Sequence, residues 1–326
     1  AVTVLYLRGL STGDCSEALE VLLGSEVDGV SATTVTRVLG VWQEEYRTWR
    51  KLSLAGKEYV YIWADGVYFN IRLEEDRLAC LVVVGVLPDG RKEVIALEDG
   101  YRESTESWAS VLRDLKRRGM KAPVLAVGDG NLGFWAALRD VFPETREQRC
   151  WKHKIANVLD KLPKRLQARA KEQLHEIMYA PDRESALEEI GVFEEEYGKR
   201  YAKAVETLTK DQDHMLAFFD FPAEHWLHLR TTNPIESTFA TVKARTKKTK
   251  GAGSRKAGLA MAWKLLMAAQ DRWRSVNAPH LVALVKAGVE FPNGEAEMLQ
   301  SDPEPEELFM PTPWILAADG VPVHNI

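Results

Sequence analysis

Cysteine is scarce in this chain of 326 residues: Cys15, Cys80 and Cys150 are its only three. They are too few and too scattered for a disulfide framework, so a reducing cytoplasm is the expected compartment. Long apolar runs are missing as well. The longest, Leu78 to Leu87, holds about ten residues, roughly half of what a bilayer-spanning helix needs, and no membrane partner is expected. Ala1 to Arg8 lack the basic start and apolar centre of a signal peptide, and the chain opens without Met, as a processed or truncated product would. No low-complexity block occurs, which excludes a fibrous or disordered chain. A basic excess is lacking too. The formal net charge of -5 argues against indiscriminate binding to nucleic acid.

What is present is ordinary globular material, 45% hydrophobic and 28% charged, long enough for one large domain or two smaller ones. Its charge is segregated. Lys243 to Lys256 contains seven Lys or Arg and no acid, whereas Glu184 to Glu196 and Asp302 to Glu307 are acid-rich.

Helical apolar spacing over 14–23 and 31–46, with Gly between, predicts two helices within a segment spanning 1–55. If these form a helix-turn-helix, Ser31 caps the second helix and Thr33, Thr34 and Arg37 face a DNA groove. A plain helical hairpin packed on the next domain fits the same pattern. From Tyr59 the pattern turns to strands: YVYIWAD, VYFNIRL, ACLVVVGVL, a Pro88-Asp89-Gly90 turn and RKEVIAL, an antiparallel meander. A helix over 105–118, a short buried strand PVLAVGD, a helix over 132–140, a strand near 146–150 and a helix from 152 follow. This is the order of an α/β domain with a mixed sheet covered by helices, first part 56–163, and it matches ribonuclease H-like domains. Residues 164–229 read as an all-helical insertion. Residues 230–276 would close the domain with a helix from Pro234, a Gly251–Ser254 break and a helix over 256–274. Prolines 303, 305, 311 and 313 mark 277–326 as a tail.

Asp65 and Asp129 sit at the ends of expected strands, where carboxylates of a mixed sheet can converge, and Glu236 starts a helix after Thr231-Thr232-Asn233-Pro234. Phosphodiester chemistry needs such convergence, because two Mg²⁺ ions about 4 Å apart are held by several carboxylate oxygens. Each acid also has an innocent reading. Asp65-Gly66 and Asp129-Gly130 are turn dipeptides, and Glu236 would close a capping box on Asn233.

The blocks IWADGVYFNIRLEED, EDGYRESTESWASVLRDLKRRG, VGDGNLGFWAALRDVFPETREQRCWKHK and LRTTNPIESTFATVKARTKKTKGAGSR resemble the Mutator-type transposases of bacterial insertion sequences, from Tyr6 to about Asn277. The resemblance implies a DDE enzyme with a ribonuclease H-like core, a helical insertion between the second aspartate and the glutamate, and Asp65, Asp129 and Glu236 as the catalytic, metal-binding triad for Mg²⁺, with Mn²⁺ as substitute. It implies double-stranded DNA as partner, both the element's terminal inverted repeats and the target, and a homodimer or larger assembly because two ends are processed together.

Cys150 and His153 are two potential ligands without a second pair, so no closed zinc site follows. The resembled family carries Cys-x-x-His here, which implies support of the active site or DNA contact; a satisfied core pair is the alternative. Asn233 belongs to the same candidate support group. Lys243, Arg245, Lys247, Lys248, Lys250, Arg255 and Lys256 begin seven residues beyond Glu236 and, with Arg37, are candidate phosphate contacts; a solvated helix face is the bland reading. Trp63 and Trp135 read as core, while Trp151 is either core or a platform for an unpaired base. A nuclease that cuts without joining, and a DNA-binding regulator without catalysis, remain as other readings of the same chain.

Overall fold

Strand alternation builds the centre of the molecule. In the computed structural model, which describes residues 32–71, 78–100, 104–130, 132–248 and 254–297, a five-stranded sheet has the order β3-β2-β1-β4-β5. The strands are β1 (Tyr61–Phe69), β2 (Leu78–Val86), β3 (Lys92–Gly100), β4 (Leu125–Gly128) and β5 (Arg146–Arg149). β1, β2 and β3 are antiparallel neighbours, while β4 runs parallel to both β1 and β5. The fold is therefore α/β with a mixed sheet. Between β2 and β3 the expected turn forms, with Gly90 at φ 80° and Asp89 Oδ1 accepting from Arg91 N at 3.0 Å, a backbone that glycine adopts without strain.

The side-chain period of two sorts the sheet into two apolar faces. Tyr61, Trp63, Val67, Val82, Val84, Leu125 and Val127 belong to one core; Ile62, Ala64, Leu81, Val83 and Ala126 belong to the other. The second face is covered by α2 (Thr105–Arg117) and α3 (Leu132–Val141), through Trp108, Leu112, Leu115, Phe134, Trp135 and Leu138. The first face carries α4 (Trp151–Leu159), α10 (Asn233–Lys248) and α11 (Arg255–Gln270). All nine residues of β2 are buried, so it reads as a continuous apolar run rather than an alternating one.

Between α4 and α10 the described chain is helical throughout: α5 (Lys164–Met178), α6 (Arg183–Tyr197), α7 (Ala202–Thr209), α8 (Gln212–Met215), two 3-10 turns and α9 (Trp226–Leu229). Their apolar faces, including Leu174, Ile190, Phe193, Leu208, Phe218 and Trp226, join the core of the first sheet face. The expected absence of strands in this segment is thus observed.

Three expectations change. Residues 59–73, read as two strands divided at Asp65-Gly66, contain one continuous β1, because β2 pairs along all nine of its residues from Tyr61↔Val86 to Phe69↔Leu78. Asp65 is accordingly inside a strand, opposite Val82, not at its end. The segment after Val276 does not leave the fold at once: α12 (His280–Lys286) and a 3-10 turn at Pro292–Gly294 follow, with Val282, Val285 and Phe291 buried in the core. The described residues up to Ala296 belong to one compact unit.

α1 (Ala32–Trp49) spans the second of the two expected N-terminal helices. Trp42, Tyr46 and Trp49 recur at helical spacing, and Tyr46 and Trp49 stack 6.0 Å apart and meet Trp263 of α11 at 6.2 and 6.1 Å. Tyr46 Oη donates to Leu97 O at 2.5 Å. The helix is therefore docked by its aromatic face. The helix over 14–23, the Ser31 cap, the Thr33 and Thr34 side chains, Lys250, the glycines of the 251–253 break and the tail from 298 lie outside the described residues. No described helix is long and apolar enough to cross a membrane.

Candidate active site

Register sets the position of the two aspartates. β4 pairs with β1 in parallel up to Ala64↔Gly128, so Asp65 and Asp129 are the next residues on neighbouring strands. They share the parity of Trp63 and Val127, which places both on the sheet face covered by α4 and α10. Parallel neighbours are about 4.8 Å apart, close enough for two carboxylates to act on one group.

Asp129 is held from behind. Trp135 Nε1 donates to its carbonyl oxygen at 2.6 Å, and Gly130 N donates to its Oδ1 at 2.5 Å. The Trp135 ring lies against Gly128, where a Cβ would sit 3.0 Å from it, so a larger residue directly before Asp129 would require the ring to shift by a few tenths of an ångström. The buried Arg149 guanidinium stacks on the same ring at 4.2 Å.

Glu236 reaches this place through a splice of three backbone segments. Cys150 N donates to Gly128 O at 2.7 Å, and Trp151 N donates to Arg230 O at 2.9 Å. Thr232 N then approaches Cys150 Sγ at 3.4 Å. The end of β4, the start of α4 and the start of α10 are thereby joined at Cys150. Thr232, fully buried, donates from Oγ1 to Glu236 Oε1 at 3.1 Å, and Lys152 Nζ forms a short ion pair with Oε2. The capping-box reading of Glu236 does not hold. Among the described residues its carboxylate pairs with Thr232 and Lys152, while Asn233 N donates to Thr231 Oγ1 at 3.4 Å.

Cys150 and His153 face the same point. One ligand atom each from Cys150, His153 and Glu236 lie within 4.8 Å of one another, and His153 Nδ1 is 3.8 Å from Asp129 Oδ1. Contact with Cys150 is the main reason the His153 imidazole is raised to about 9, against the opposing effect of burial; the charges of Asp129 and Asp65 add to it. Nδ1 nonetheless has no well-aligned hydrogen-bond partner among the described residues. Glu236, Cys150 and the half-buried His153 thus meet at one point, with Asp129 beside His153, Lys152 on Glu236, and Asp65 on the neighbouring strand of the same sheet face. That is a site suited to cations, and its carboxylate oxygens are the donors hard divalent ions prefer.

The profile of the Mutator family of transposases matches residues 1–276. The chain belongs to this family. It is 57% identical over 291 residues to the transposase for insertion sequence element IS6120 of Mycolicibacterium smegmatis, covering 89% of this chain and 90% of that protein. It is 46% identical over 286 residues to the transposase for insertion sequence element IST2 of Acidithiobacillus ferrooxidans, covering 85% and 94%. A transposase for element IS406 of Burkholderia multivorans is 32% identical over 251 residues, covering 76% and 64%. Family membership makes the chain an enzyme that acts on DNA.

The other residues singled out in this transposase divide. Asn233 is exposed and faces a neighbouring cavity rather than Glu236. Arg37, Lys243 and Lys256 are exposed on α1, α10 and the start of α11. Arg255 forks onto Asp99 of β3, with Nε–Oδ2 at 2.8 Å and Nη2–Oδ1 at 2.5 Å, so its guanidinium already serves an internal ion pair. The α10 backbone carries Arg245, Lys247 and Lys248, whose side chains lie outside the described set. Trp63, Trp135 and Trp151 are all fully buried, which removes Trp151 as a base platform. Lys152, Arg149 and Arg230 carry no signal of their own in the sequence: each lies inside one of the resembled blocks, but only the fold brings its side chain to the site.

Proposed function

We propose that the chain is a DDE transposase with a ribonuclease H-like core, which cleaves a DNA strand at the end of an insertion sequence and transfers the freed 3′ end to target DNA. The observation that supports this most is the register of β1 and β4, which sets Asp65 beside Asp129, with Glu236 brought to the same face through Cys150 and Thr232. The antiparallel β3-β2-β1 and parallel β4-β5 arrangement supports the ribonuclease H-like reading. Asp65, Asp129 and Glu236 would hold Mg²⁺, or Mn²⁺ in its place.

Divalent cations bound there supply Lewis acidity for the attacking and leaving oxygens of phosphodiester exchange. The protein's own groups do the positioning. Thr232 orients one oxygen of Glu236 and Trp135 fixes the backbone of Asp129, while Lys152 occupies the other Glu236 oxygen and yields it to a cation. Cys150 and His153 support the glutamate rather than react. α10 runs on from Glu236 to Lys243, about 10 Å along its axis at 1.5 Å per residue, so its basic side chains reach phosphates flanking the cut. Lys243, Arg245, Lys247 and Lys248 of α10, Lys256 of α11 and Arg37 of α1, together with Lys250, would contact the backbone of the element ends and target. Two ends must be processed together, so the active form is a homodimer or larger on chromosomal DNA.

The test is a gel assay in Mg²⁺ or Mn²⁺ with DNA flanking the gene, comparing the wild type with Glu236→Gln. Metal-dependent nicking at one position together with joined products, both absent in the variant, is the expected result. Nicking without joining would make the chain a nuclease instead.

A further inference from the structure

Lys152, whose ammonium pairs with Glu236, also lines a cavity of about 820 Å³, together with Thr231 and Asn233 at the start of α10. The cavity therefore adjoins Glu236 through Lys152. Five cationic side chains line it, Lys92, Lys152, Lys171, Arg230 and Arg274, and among the described residues no carboxylate does. Its walls otherwise include large apolar groups. Tyr179 and Leu227 stand 57% and 63% exposed there, so an aromatic and an aliphatic surface are open to a ligand.

Arg230 is the most telling residue. It is only 8% exposed, its Nε has no hydrogen-bond partner, and it pairs with no carboxylate among the described residues. Its guanidinium instead rests on aromatic rings, 4.7 Å from Phe218, 5.1 Å from Tyr179 and 5.4 Å from Trp226. Burying a guanidinium without a counter-ion is costly, and an arriving anion would offset that cost. Burial also pushes its pKa down to about 10.

We propose that this cavity receives one unpaired nucleotide of the DNA substrate, its phosphate on Arg230 and its base against Tyr179. The inference rests on the DNA-cleaving reading above. A volume of this size falls in the range that encloses a small organic ligand, and enzymes that work on a distorted duplex stack the extruded base against aromatic or apolar walls. Drawing one nucleotide out here would set the adjoining phosphodiester near Lys152, and hence Glu236.

The experiment uses the full chain in EDTA with two 2-aminopurine-labelled duplexes, one fully paired and one carrying the label in a single-nucleotide bulge. The wild type is expected to bind the bulged DNA roughly tenfold more tightly and to quench its fluorescence. Tyr179→Ala, at an exposed position, is expected to lose both effects while keeping its affinity for paired DNA. Arg230→Lys, which keeps the charge but not the planar fork, is expected to weaken bulge binding selectively. Equal affinity of the wild type for the two duplexes, or an undiminished preference in Tyr179→Ala, would overturn the proposal. A chain that nicks DNA in Mg²⁺ without bulge preference leaves the catalytic reading standing and removes the nucleotide site; bulge preference without nicking does the reverse.

Discussion

Cys150 and Thr232 are buried against each other, the sulfur 3.4 Å from the Thr232 backbone nitrogen and 3.5 Å from its hydroxyl, and that same hydroxyl lies 3.1 Å from Glu236 Oε1. The contact couples the start of α4 to the carboxylate on α10. Thr232→Val keeps the shape and removes the hydroxyl, so it should slow strand cleavage about tenfold, the equivalent of one lost hydrogen bond to a charged group of about 1.5 kcal/mol. Thr232→Ser should restore most of the rate. Cleavage rates of the two variants, with melting curves to show both are folded, check this; equal rates would remove Thr232 from the positioning role.

Lys152 pairs with Glu236, with the lysine side chain 60% exposed and the glutamate 19%. A divalent ion must compete with that ammonium. Lys152→Met should therefore lower the Mn²⁺ concentration needed for half-maximal thermal stabilisation. A higher requirement would mean that Lys152 helps to assemble the site rather than competing for it.

Arg255 and Lys256 are neighbours in sequence with different surroundings. Arg255 is forked onto Asp99, while Lys256 is exposed. Lys256→Ala should reduce the slope of log affinity for DNA against log salt by about 0.9, the value of one phosphate contact, whereas Arg255→Ala should leave the slope nearly unchanged and lower the melting temperature. Salt titrations of both variants decide it; a reversed pattern would make Arg255 the phosphate contact.

His225 and His228 are held below the ordinary imidazole range, first by burial and, for His228, also by the charge of Lys92. His225 Nδ1 lies 2.9 Å from Tyr61 Oη, and His228 Nε2 accepts from Asn277 N at 3.1 Å. In the unfolded chain both protonate near pH 6.5. Below that value the unfolded state binds more protons than the native one, so their contribution is present above about 6.5 and lost as pH falls toward the native values. Denaturation midpoints should drop between pH 6.5 and 5, less steeply in His228→Gln; parallel curves would exclude His228 as a source.

Most of the architecture was legible because its signals were local. The turn at Pro88-Asp89-Gly90, the run over β2, the short strand before Asp129 and the all-helical segment each declare themselves within a few residues. Asp65 did not. Asp-Gly is a turn signal, yet β1 runs through it, because pairing with β2 continues after pairing with β4 has ended at Ala64. The nearness of Asp65 and Asp129 is a property of register, which no single segment carries. Helix α12 was missed because its seven residues precede a proline-rich stretch, and its burial depends on Val282 and Val285 meeting a distant core. Lys152 and Arg230 escaped for the same reason: one exposed lysine and one arginine have no meaning until α4 and α10 are brought together.

Mn²⁺ binding followed by electron paramagnetic resonance, in the wild type and in Asp65→Asn, Asp129→Asn, Glu236→Gln and the Asp65→Asn/Glu236→Gln double variant, tests most directly whether two strands and a helix build one metal site. The expected result is that each single change weakens the same binding event at least roughly tenfold and that the double change costs less than the sum of its parts, as ligands of a shared site do. Independent, additive losses, or Mn²⁺ affinity that survives in all the variants, would contradict a common site for Asp65, Asp129 and Glu236.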